Sequence, residues 1–483
     1  MTPTIDQLLV QKTDSLERVL QIIDASAQGI CFVVDQDKKL VGILTDGDIR
    51  RAFMNRLTLE TTAGEAMNTN YTSRSIETPR EELLKLIDQR IRHIPLLNEA
   101  GQPVDYACVH RYNRFPVSEP ELGGNELEYV TNCIKTNWIS SAGKYVRDFE
   151  RMVAEYCGVP YAAAVSNGTV ALHLALDALG IGERDEVIVP DLTFAASINA
   201  IIYTGATPVI VDIDATTWNI CPKATAKAIT PKTKAIMPVH LYGLPAEMDA
   251  IHELAEKHNL LIVEDAAEAI GSVYKNKKAG SMSDVATFSF YGNKTITTGE
   301  GGMVLFHNEE TYKKAIVLRD HGMDKTKRYW HNFVGYNYRL TNLQAAIGVA
   351  QMERIEEIVA RKIEIGKLYN EGLKDIKEFQ LPADFDHVVN TYWLYTIVLN
   401  DNCDLDRDAL IGKLQQNGIE TRPVFYPLHE MPPYQQYVRN EKYPVADRIS
   451  KRGICLPSYL SLQPSEIEFI CGVLRKQVSL VKL

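Results

Sequence analysis

The sequence predicts an α/β protein with more than one folding unit. In the central part of the chain, strand-like runs such as DEVIVP and LLIVEDAA alternate with helix-like stretches such as TVALHLALDAL. The strand-like runs are continuously apolar, which is typical of strands buried on both faces of a mostly parallel sheet. The length of 483 residues exceeds that of one ordinary domain, about 150 residues. We therefore expect a mostly parallel sheet covered by helices, together with smaller units.

Composition and charge exclude several classes of protein. Hydrophobic residues make up 45% of the chain and charged residues 24%, as in ordinary globular proteins. The 52 basic residues are outnumbered by 62 acidic ones, so no broad electrostatic surface for nucleic acid or anionic membrane is expected. The chain starts MTPTIDQLLVQKTD, without an apolar leader, and lacks an apolar run of 18 residues, which predicts a cytoplasmic protein. The eight cysteines form no C-x-x-C pair, so we expect free thiols and no metal site.

Residues 1–115 read as an internal duplication. ICFVVDQDKKLVGILTDGDIRRAF and IPLLNEAGQPVDYACVHRY each contain an apolar strand, a polar turn and a second apolar strand. A stretch with helical periodicity precedes each copy, SLERVLQIIDAS before the first and REELLKLIDQRI before the second. The region resembles a tandem CBS module, a regulatory pair of which many members bind an adenine nucleotide. The resemblance implies that Thr45 and Asp48 face the ribose of such a nucleotide, the alternative being a dimerisation element without a ligand.

Two prolines in NRFPVSEP mark a domain boundary near residue 115. Beyond about residue 340 the alternating pattern gives way to one long helical stretch and then to a mixed segment. We therefore predict a regulatory module at 1–115, a large domain at 116–350 and a small α+β domain at 351–483.

Four elements that could bind a ligand or take part in catalysis follow one another in the large domain. Ser166-Asn167-Gly168-Thr169 opens a helix and could cradle a phosphate, and Phe194 follows a buried strand, where its ring could stack on a planar group. Asp265 ends another buried strand, and Lys294 stands beside a glycine-rich turn, where its amine could form a Schiff base. Taken singly, the first is an ordinary helix cap and the last a surface lysine. Their order along one α/β unit favours the functional interpretation.

The chain resembles the DegT/DnrJ/EryC1/StrS family of sugar-nucleotide aminotransferases in four sequence motifs, SNGTVALHLAL, VEDAAEAIGS, FSFYGNKTITTGEGGM and GYNYRLTNLQAAIG. The resemblance runs from Phe115 almost to the C-terminus. It implies fold type I of the pyridoxal 5′-phosphate (PLP) enzymes, with PLP as cofactor, glutamate as amino donor and a nucleotide-linked keto sugar as acceptor. Lysine rather than histidine at position 294 argues for transamination, because dehydratase members of the family carry histidine there.

The resemblance also implies a role for each site residue. Lys294 binds PLP and transfers protons, and Asp265 keeps the pyridine nitrogen protonated. Arg339 is a candidate for the donor carboxylate. Asn337 reaches the phosphate from a neighbouring subunit, which requires a homodimer or a higher homo-oligomer. The remaining cofactor contacts are Gly168, Thr169, Ser289, Phe194 and Glu268. Glu268 and His429 line the sugar side. His331 either contacts the substrate or belongs to a packed loop.

Glu268 and the segment LRDHGMDKTKRYWHNFVGYNYRL favour the branch of the family that aminates GDP-4-keto-6-deoxymannose at C4 for O-antigen synthesis. A first alternative is a UDP-linked 4-keto sugar of another surface-glycan or nonulosonic-acid pathway. A second, of another class, is a nucleotide-sensing protein that has lost the reaction. The presence of Lys294 and Asp265 counts against this last alternative.

Overall fold

The chain divides between Arg114 and Phe115 in this computed structural model, giving the units Met1–Arg114 and Phe115–Leu483. The structure describes residues 4–26, 28–78, 82, 83, 86, 87, 91–108, 115–324, 326–439 and 441–481. The further division of the second unit at residue 350 stays a prediction. Within the described ranges, no helix has both the length and the apolar character needed to cross a membrane.

The first unit contains two three-stranded sheets of the same topology. In each sheet the middle strand runs parallel to the first strand and antiparallel to the third, which supports the predicted duplication. The strands are β1 (Leu9–Gln11), β2 (Ile30–Val34), β3 (Leu40–Thr45), β4 (Arg74–Ser75), β5 (His93–Leu97) and β6 (Pro103–Cys108), and the helices are α1 (Leu16–Ser26), α2 (Asp46–Met54) and α3 (Ala63–Ala66).

Helix α1 confirms the first predicted helix of this unit. Its residues Leu16, Val19 and Ile23 recur at spacings of three and four, so they share one face and are buried against the sheet. The helix predicted from REELLKLIDQRI lies largely outside the described residues.

A seven-stranded sheet forms the centre of the second unit, in the order β7-β15-β14-β11-β10-β8-β9. Only β15 runs against the others, so the predicted mostly parallel sheet is confirmed. In β8, Val187 and Val189 pack into one hydrophobic core and Ile188 into another, which explains why these strands are apolar throughout. The strands are β7 (Tyr161–Val165), β8 (Glu186–Pro190), β9 (Thr207–Val211), β10 (Thr233–Ile236), β11 (Leu261–Asp265), β12 (Val273–Tyr274), β13 (Lys277–Lys278), β14 (Val285–Ser289) and β15 (Gly302–Phe306).

Helices cover both faces of this sheet, and their apolar residues belong to the two cores. They are α4 (Glu126–Lys135), α5 (Lys144–Cys157), α6 (Gly168–Ala178), α7 (Ala195–Tyr203), α8 (Pro222–Ala228), α9 (Met248–His258), α10 (Glu309–Arg319) and α11 (Asn342–Glu353).

The C-terminal part builds a third core around an antiparallel sheet of order β16-β18-β20-β19. Its strands are β16 (Phe379–Gln380), β18 (Tyr395–Leu399), β19 (Arg422–Pro423) and β20 (Gly453–Leu456), while β17 (Val388–Val389) pairs with β12 instead. Its helices are α12 (Ile355–Leu373), α13 (Arg407–Gln416), α14 (Pro444–Arg452) and α15 (Pro464–Val481).

The single long helix expected after residue 340 is wrong, because the chain breaks at Arg354 into α11 and α12. Arg354 has φ −112° and ψ 10°, outside the helical range. Its guanidinium pairs with Glu121 at 3.0 Å and with Glu357 at 3.0 Å. No glycine or proline marks the break, so tertiary contacts and not local propensity place it.

All eight cysteines are free thiols, as predicted, and only Cys221 among them is partly exposed.

Candidate active site

Asp265 lies at the carboxyl end of β11, in the middle of the large sheet. Its side chain is buried, and it accepts hydrogen bonds from Ser197 Oγ at 2.7 Å and from the N–H of Ala267 at 3.2 Å. Burial raises the pKa of Asp265 above its usual range, although both hydrogen bonds oppose this. Among the described residues, no lysine, arginine or histidine nitrogen forms an ion pair with this carboxylate. A buried carboxylate in this state is suited to a cationic ligand.

Lys294 and Glu268 lie together next to this strand end. The distance from Lys294 Nζ to Glu268 Oε1 is 3.4 Å, and Glu268 Oε2 accepts the N–H of Tyr242 at 2.8 Å. Burial raises the pKa of Glu268, and the positive charge of Lys294 opposes that rise. The Lys294 ammonium also lies 3.7 Å from the centre of the Trp393 ring. The predicted surface-loop alternative for Lys294 is wrong, since its side chain is only 13% exposed.

Gly168 and Ser289 form a close contact at the start of α6. Asn167 caps this helix, and its side chain accepts the N–H of Val170 at 3.0 Å. The other N–H groups of the first turn have no partner within the helix and are free for an anion. A Cβ on Gly168 would lie 2.8 Å from Ser289 Cβ, so only glycine permits this approach. The helix start therefore forms an open cradle beside the end of β14.

Phe194 precedes α7, the helix that carries Ser197. Its ring is 59% exposed, and its centre lies 5.9 Å from that of Phe425. Because Ser197 is hydrogen-bonded to Asp265, the same helix start places an exposed aromatic ring near the buried carboxylate. This arrangement can accept a flat ring between Phe194 and the sheet.

In the segment before α11, Arg339 contacts Asn337 and Asp320, while His331 contacts the backbone of His321. Arg339 Nη1 pairs with Asp320 at 2.7 Å, and Arg339 Nε donates to Asn337 Oδ1 at 3.2 Å. His331 is exposed, and its Nδ1 lies 2.9 Å from the carbonyl oxygen of His321. Arg339 therefore already has an acidic partner, with which a substrate carboxylate would compete.

His429 is fixed by a buried carboxylate on a different part of the chain. Its Nδ1 lies 2.6 Å from Asp191 Oδ2, and its backbone N–H donates to Asp191 Oδ1 at 2.9 Å. Burial raises the pKa of Asp191 to about 6, against the hydrogen bonds from His429. The His429 ring stacks on Tyr443 with 4.6 Å between ring centres. Since Asp191 follows β8, this histidine is held at the same edge of the sheet as Asp265.

His240, in the segment PVHLYG, has both ring nitrogens in hydrogen-bonding contacts. It is fully buried, its Nε2 lies 2.9 Å from Glu264 Oε1, and its Nδ1 accepts the N–H of Ala246 at 3.0 Å. Burial raises the pKa of Glu264, but hydrogen bonds from His240 and from the N–H groups of Gly280 and Met282 outweigh this, so that its pKa lies below the usual value.

In the first unit, Thr45 and Asp48 form the N-terminal cap of α2. Thr45 Oγ1 donates to Asp48 Oδ2 at 2.6 Å, and the N–H of Thr45 donates to the same carboxylate at 2.9 Å. The other carboxylate oxygen of Asp48 pairs with Arg51 at 2.6 Å. The pair is therefore a capping box whose polar groups are already satisfied by one another.

Sequence reasoning missed three neighbours of the predicted site residues: Ser197, Tyr242 and Trp393. Ser197 follows Phe194 by one helical turn, and this spacing could have indicated it. Tyr242 adopts a φ of 54°, which is rare for a residue with a side chain, and this conformation is visible only in the structure.

The residues present fit PLP. Among the described residues the buried Asp265 carboxylate forms no ion pair, the start of α6 offers N–H groups beside Gly168, and the Lys294 amine lies close enough for its charge to lower the pKa of Asp265. Fold and site together define a PLP-dependent aminotransferase.

The chain belongs to the DegT/DnrJ/EryC1/StrS aminotransferase family, which matches residues 120–475. Residues 1–55 match the CBS domain. The chain is 47% identical over 365 residues to a GDP-perosamine synthase of Caulobacter vibrioides, which covers 75% of this chain and 97% of that protein. It is 49% identical over 356 residues to a GDP-perosamine synthase of Escherichia coli O157:H7, covering 74% and 96%. A putative sugar aminotransferase of Streptococcus pneumoniae in its PLP form superposes with a TM-score of 0.73 at 30% identity, covering 77% of this chain and 100% of that one.

Proposed function

We propose that the protein transfers an amino group from L-glutamate to C4 of GDP-4-keto-6-deoxy-D-mannose in the cytoplasm, giving GDP-perosamine for O-antigen synthesis. The observation that carries the reaction type is the Lys294 amine, which contacts Glu268 and the Trp393 ring and lies near the buried Asp265 carboxylate, for which the described residues supply no ion pair. The identities of 47% and 49% to GDP-perosamine synthases support this particular sugar.

PLP, when bound, supplies an electron sink for the electrons released from the α-carbon of the amino donor. Asp265 would keep the ring nitrogen of PLP protonated, because a buried carboxylate that forms no ion pair among the described residues would be stabilised by that positive charge. Ser197 holds that carboxylate in place through its 2.7 Å hydrogen bond. Lys294 would move a proton between the α-carbon of the donor and the cofactor in the first half of the reaction, and between the cofactor and C4 of the sugar in the second. Glu268, 3.4 Å from the Lys294 amine, limits where that amine can lie.

The remaining residues bind and orient the ligands. The first-turn N–H groups at Gly168 and Thr169, with Ser289, hold the phosphate of PLP. Phe194 covers the face of the ring. Arg339 takes the carboxylate of glutamate in exchange for Asp320. Glu268, His429 and His331 line the sugar side.

A homodimer completes the site in this proposal, with Asn337 reaching the phosphate held by the partner subunit. Large apolar side chains are exposed on and after α4: Leu127 at 80%, Ile134 at 60% and Trp138 at 56%. Tyr329 and Val334 are exposed at 75% and 94% in the segment before Asn337. Large apolar side chains exposed to this extent favour burial against a partner, which in this proposal is a second copy of the chain.

The choice of sugar is tested by a product assay with GDP- and UDP-linked 4-keto-6-deoxy sugars side by side. We expect amino-sugar formation with the GDP compound and a kcat/KM at least about 100-fold lower with the UDP compound, because a binding site built for guanine leaves its polar groups unpaired with uracil. The Lys294→Ala variant provides the blank. Turnover of the UDP compound alone would assign the enzyme to the other branch.

We also propose that the CBS unit binds an adenine nucleotide at Thr45 and Asp48, which then alters turnover. The match of residues 1–55 to the CBS domain supports this, as does the position of both side chains at the start of α2. Binding would exchange part of the capping box for contacts to the ribose.

The chain offers a matched control for this proposal, since Thr62 and Glu65 form a second capping box at α3. Each of Thr45→Val and Thr62→Val removes a capping hydroxyl, at a cost of about 1 kcal/mol. We expect calorimetry with AMP, ADP and ATP on the full chain to detect binding that Thr45→Val abolishes and Thr62→Val retains. Absence of heat with all three nucleotides, together with unchanged kinetics, contradicts the proposal.

A further inference from the structure

Lys362 is a buried lysine on α12 that binds neither PLP nor substrate in the proposed reaction. Only 4% of the residue is exposed, and its ammonium donates to the carbonyl oxygen of Trp393 at 2.9 Å and to that of Ser458. Among the described residues, no carboxylate forms an ion pair with it. A buried amine without an anionic partner is costly, and such groups concentrate at functional sites.

Lys362 is linked to Lys294 through Trp393. The backbone carbonyl of Trp393 accepts from Lys362, while its ring lies 3.7 Å from the Lys294 ammonium. The indole Nε1 donates to the carbonyl oxygen of Asn293, the residue before Lys294, at 2.7 Å. Trp393 is therefore held at its backbone carbonyl by Lys362. Its ring contacts the side chain of Lys294 and the loop that carries it.

A narrow cavity joins the two lysines. It measures about 10 Å³, near the lower limit for one water molecule, and both lysines and Trp393 line it. Asn293 Oδ1 and Thr295 Oγ1 are buried without a hydrogen-bond partner in the described part of the chain, and their residues also line the cavity. An ammonium has three N–H donors, of which Lys362 uses two on carbonyl groups.

We propose that Lys362 is a positioning residue for Lys294, acting through Trp393 and through one water molecule bound in this cavity. The water satisfies Asn293 Oδ1 and Thr295 Oγ1 and meets the Lys362 amine. The inference rests on the proposed role of Lys294 as the reacting amine, because a fixed Trp393 ring matters only if the amine beside it must be oriented.

The titration of Lys362 gives this arrangement a pH dependence. Burial lowers the pKa of Lys362 to about 7. Below that pH its third N–H donates to the water, and above it the neutral amine accepts from the water instead. The other charged or titratable groups on the cavity wall are Lys294, Glu119, Glu121 and Tyr459, of which Glu121 pairs with Arg354 at 3.0 Å. We therefore expect the surroundings of Trp393 to change near neutral pH.

The indole N–H resonance of Trp393 reports this change directly, since the chain has only four tryptophans and Trp393→Phe identifies the peak. In the full chain, before and after PLP is added, the peak should shift with a midpoint near pH 7. Lys362→Met should abolish the titration, displace the peak and lower kcat by about 10- to 100-fold with a smaller change in KM. Lys362→Gln, which keeps two donors, should restore the peak position but not the titration.

Lys367→Met is the matched control, because Lys367 is an exposed lysine on the same helix and should change none of these readouts. An unchanged peak and unchanged kcat in Lys362→Met overturn the inference. If that variant does not fold, a wild-type peak that does not titrate near neutral pH overturns it equally. The resonance is measured without substrate, so the outcome is distinct from a failure of the proposed sugar specificity.

Discussion

Lys294→Ala is expected to lower amino transfer by about 10⁴-fold, the upper end of the range for loss of a positioned proton-transfer group. The side chain lies 3.4 Å from Glu268 and against the Trp393 ring, whereas Lys362, which lines the same cavity, donates to the backbone carbonyls of Trp393 and Ser458 instead. The measurement is amino-sugar formation with glutamate as donor, together with covalent retention of PLP after borohydride reduction, which the variant should lose.

Two controls separate chemistry from folding in this experiment. Lys294→Arg keeps a cation over the Trp393 ring but cannot release its proton, so it should be as inactive as the alanine variant. Lys277→Ala removes an exposed lysine and should leave turnover unchanged. Retained turnover in Lys294→Ala contradicts the mechanism. Absence of bound PLP in the wild-type chain would support a nucleotide-sensing protein that has lost the reaction.

Asp265→Asn is expected to weaken PLP binding and to lower turnover by about 10²- to 10³-fold. An opposite charge within a few ångströms shifts a pKa by about 1 to 3 units. The neutral amide removes that charge, so the pKa of the ring nitrogen should fall by this amount, and each unit lowers its protonation about tenfold. The asparagine has the same shape and can still meet Ser197 and the N–H of Ala267. PLP affinity by fluorescence titration and turnover at saturating PLP measure the two effects.

The stability of the PLP-free chain distinguishes this electrostatic role from a structural one. Burial raises the pKa of Asp265, which means that the folded chain bears a cost for the ionised carboxylate at neutral pH. The amide removes this cost, so the melting temperature without PLP should not fall. Ser197→Ala keeps the charge and should reduce turnover by only about tenfold, the effect of one hydrogen bond. Equal turnover in Asp265→Asn and the wild type contradicts the proposed role.

Much of the large sheet could be predicted because its signal is local. A strand buried on both faces needs consecutive apolar residues, and Glu186–Pro190 and Leu261–Asp265 show this in their own sequence. The sequence of strand β7, YAAAV, does not predict a strand, because it is rich in alanine, which is uncommon in strands. It pairs with β15 all the same, since tertiary packing overrides a weak local preference.

The sequence by itself determined the α/β class, the position of Asp265 at a strand end and the motif around Lys294, because strand and turn patterns are written in neighbouring residues. Only the tertiary structure decided the helix break at Arg354, the hydrogen bond from Ser197 to Asp265 and the contacts that connect Lys362 through Trp393 to Lys294. These depend on contacts between segments far apart in the chain, and the burial and partners that set the pKa of Asp265 and Lys362 arise only when those segments pack.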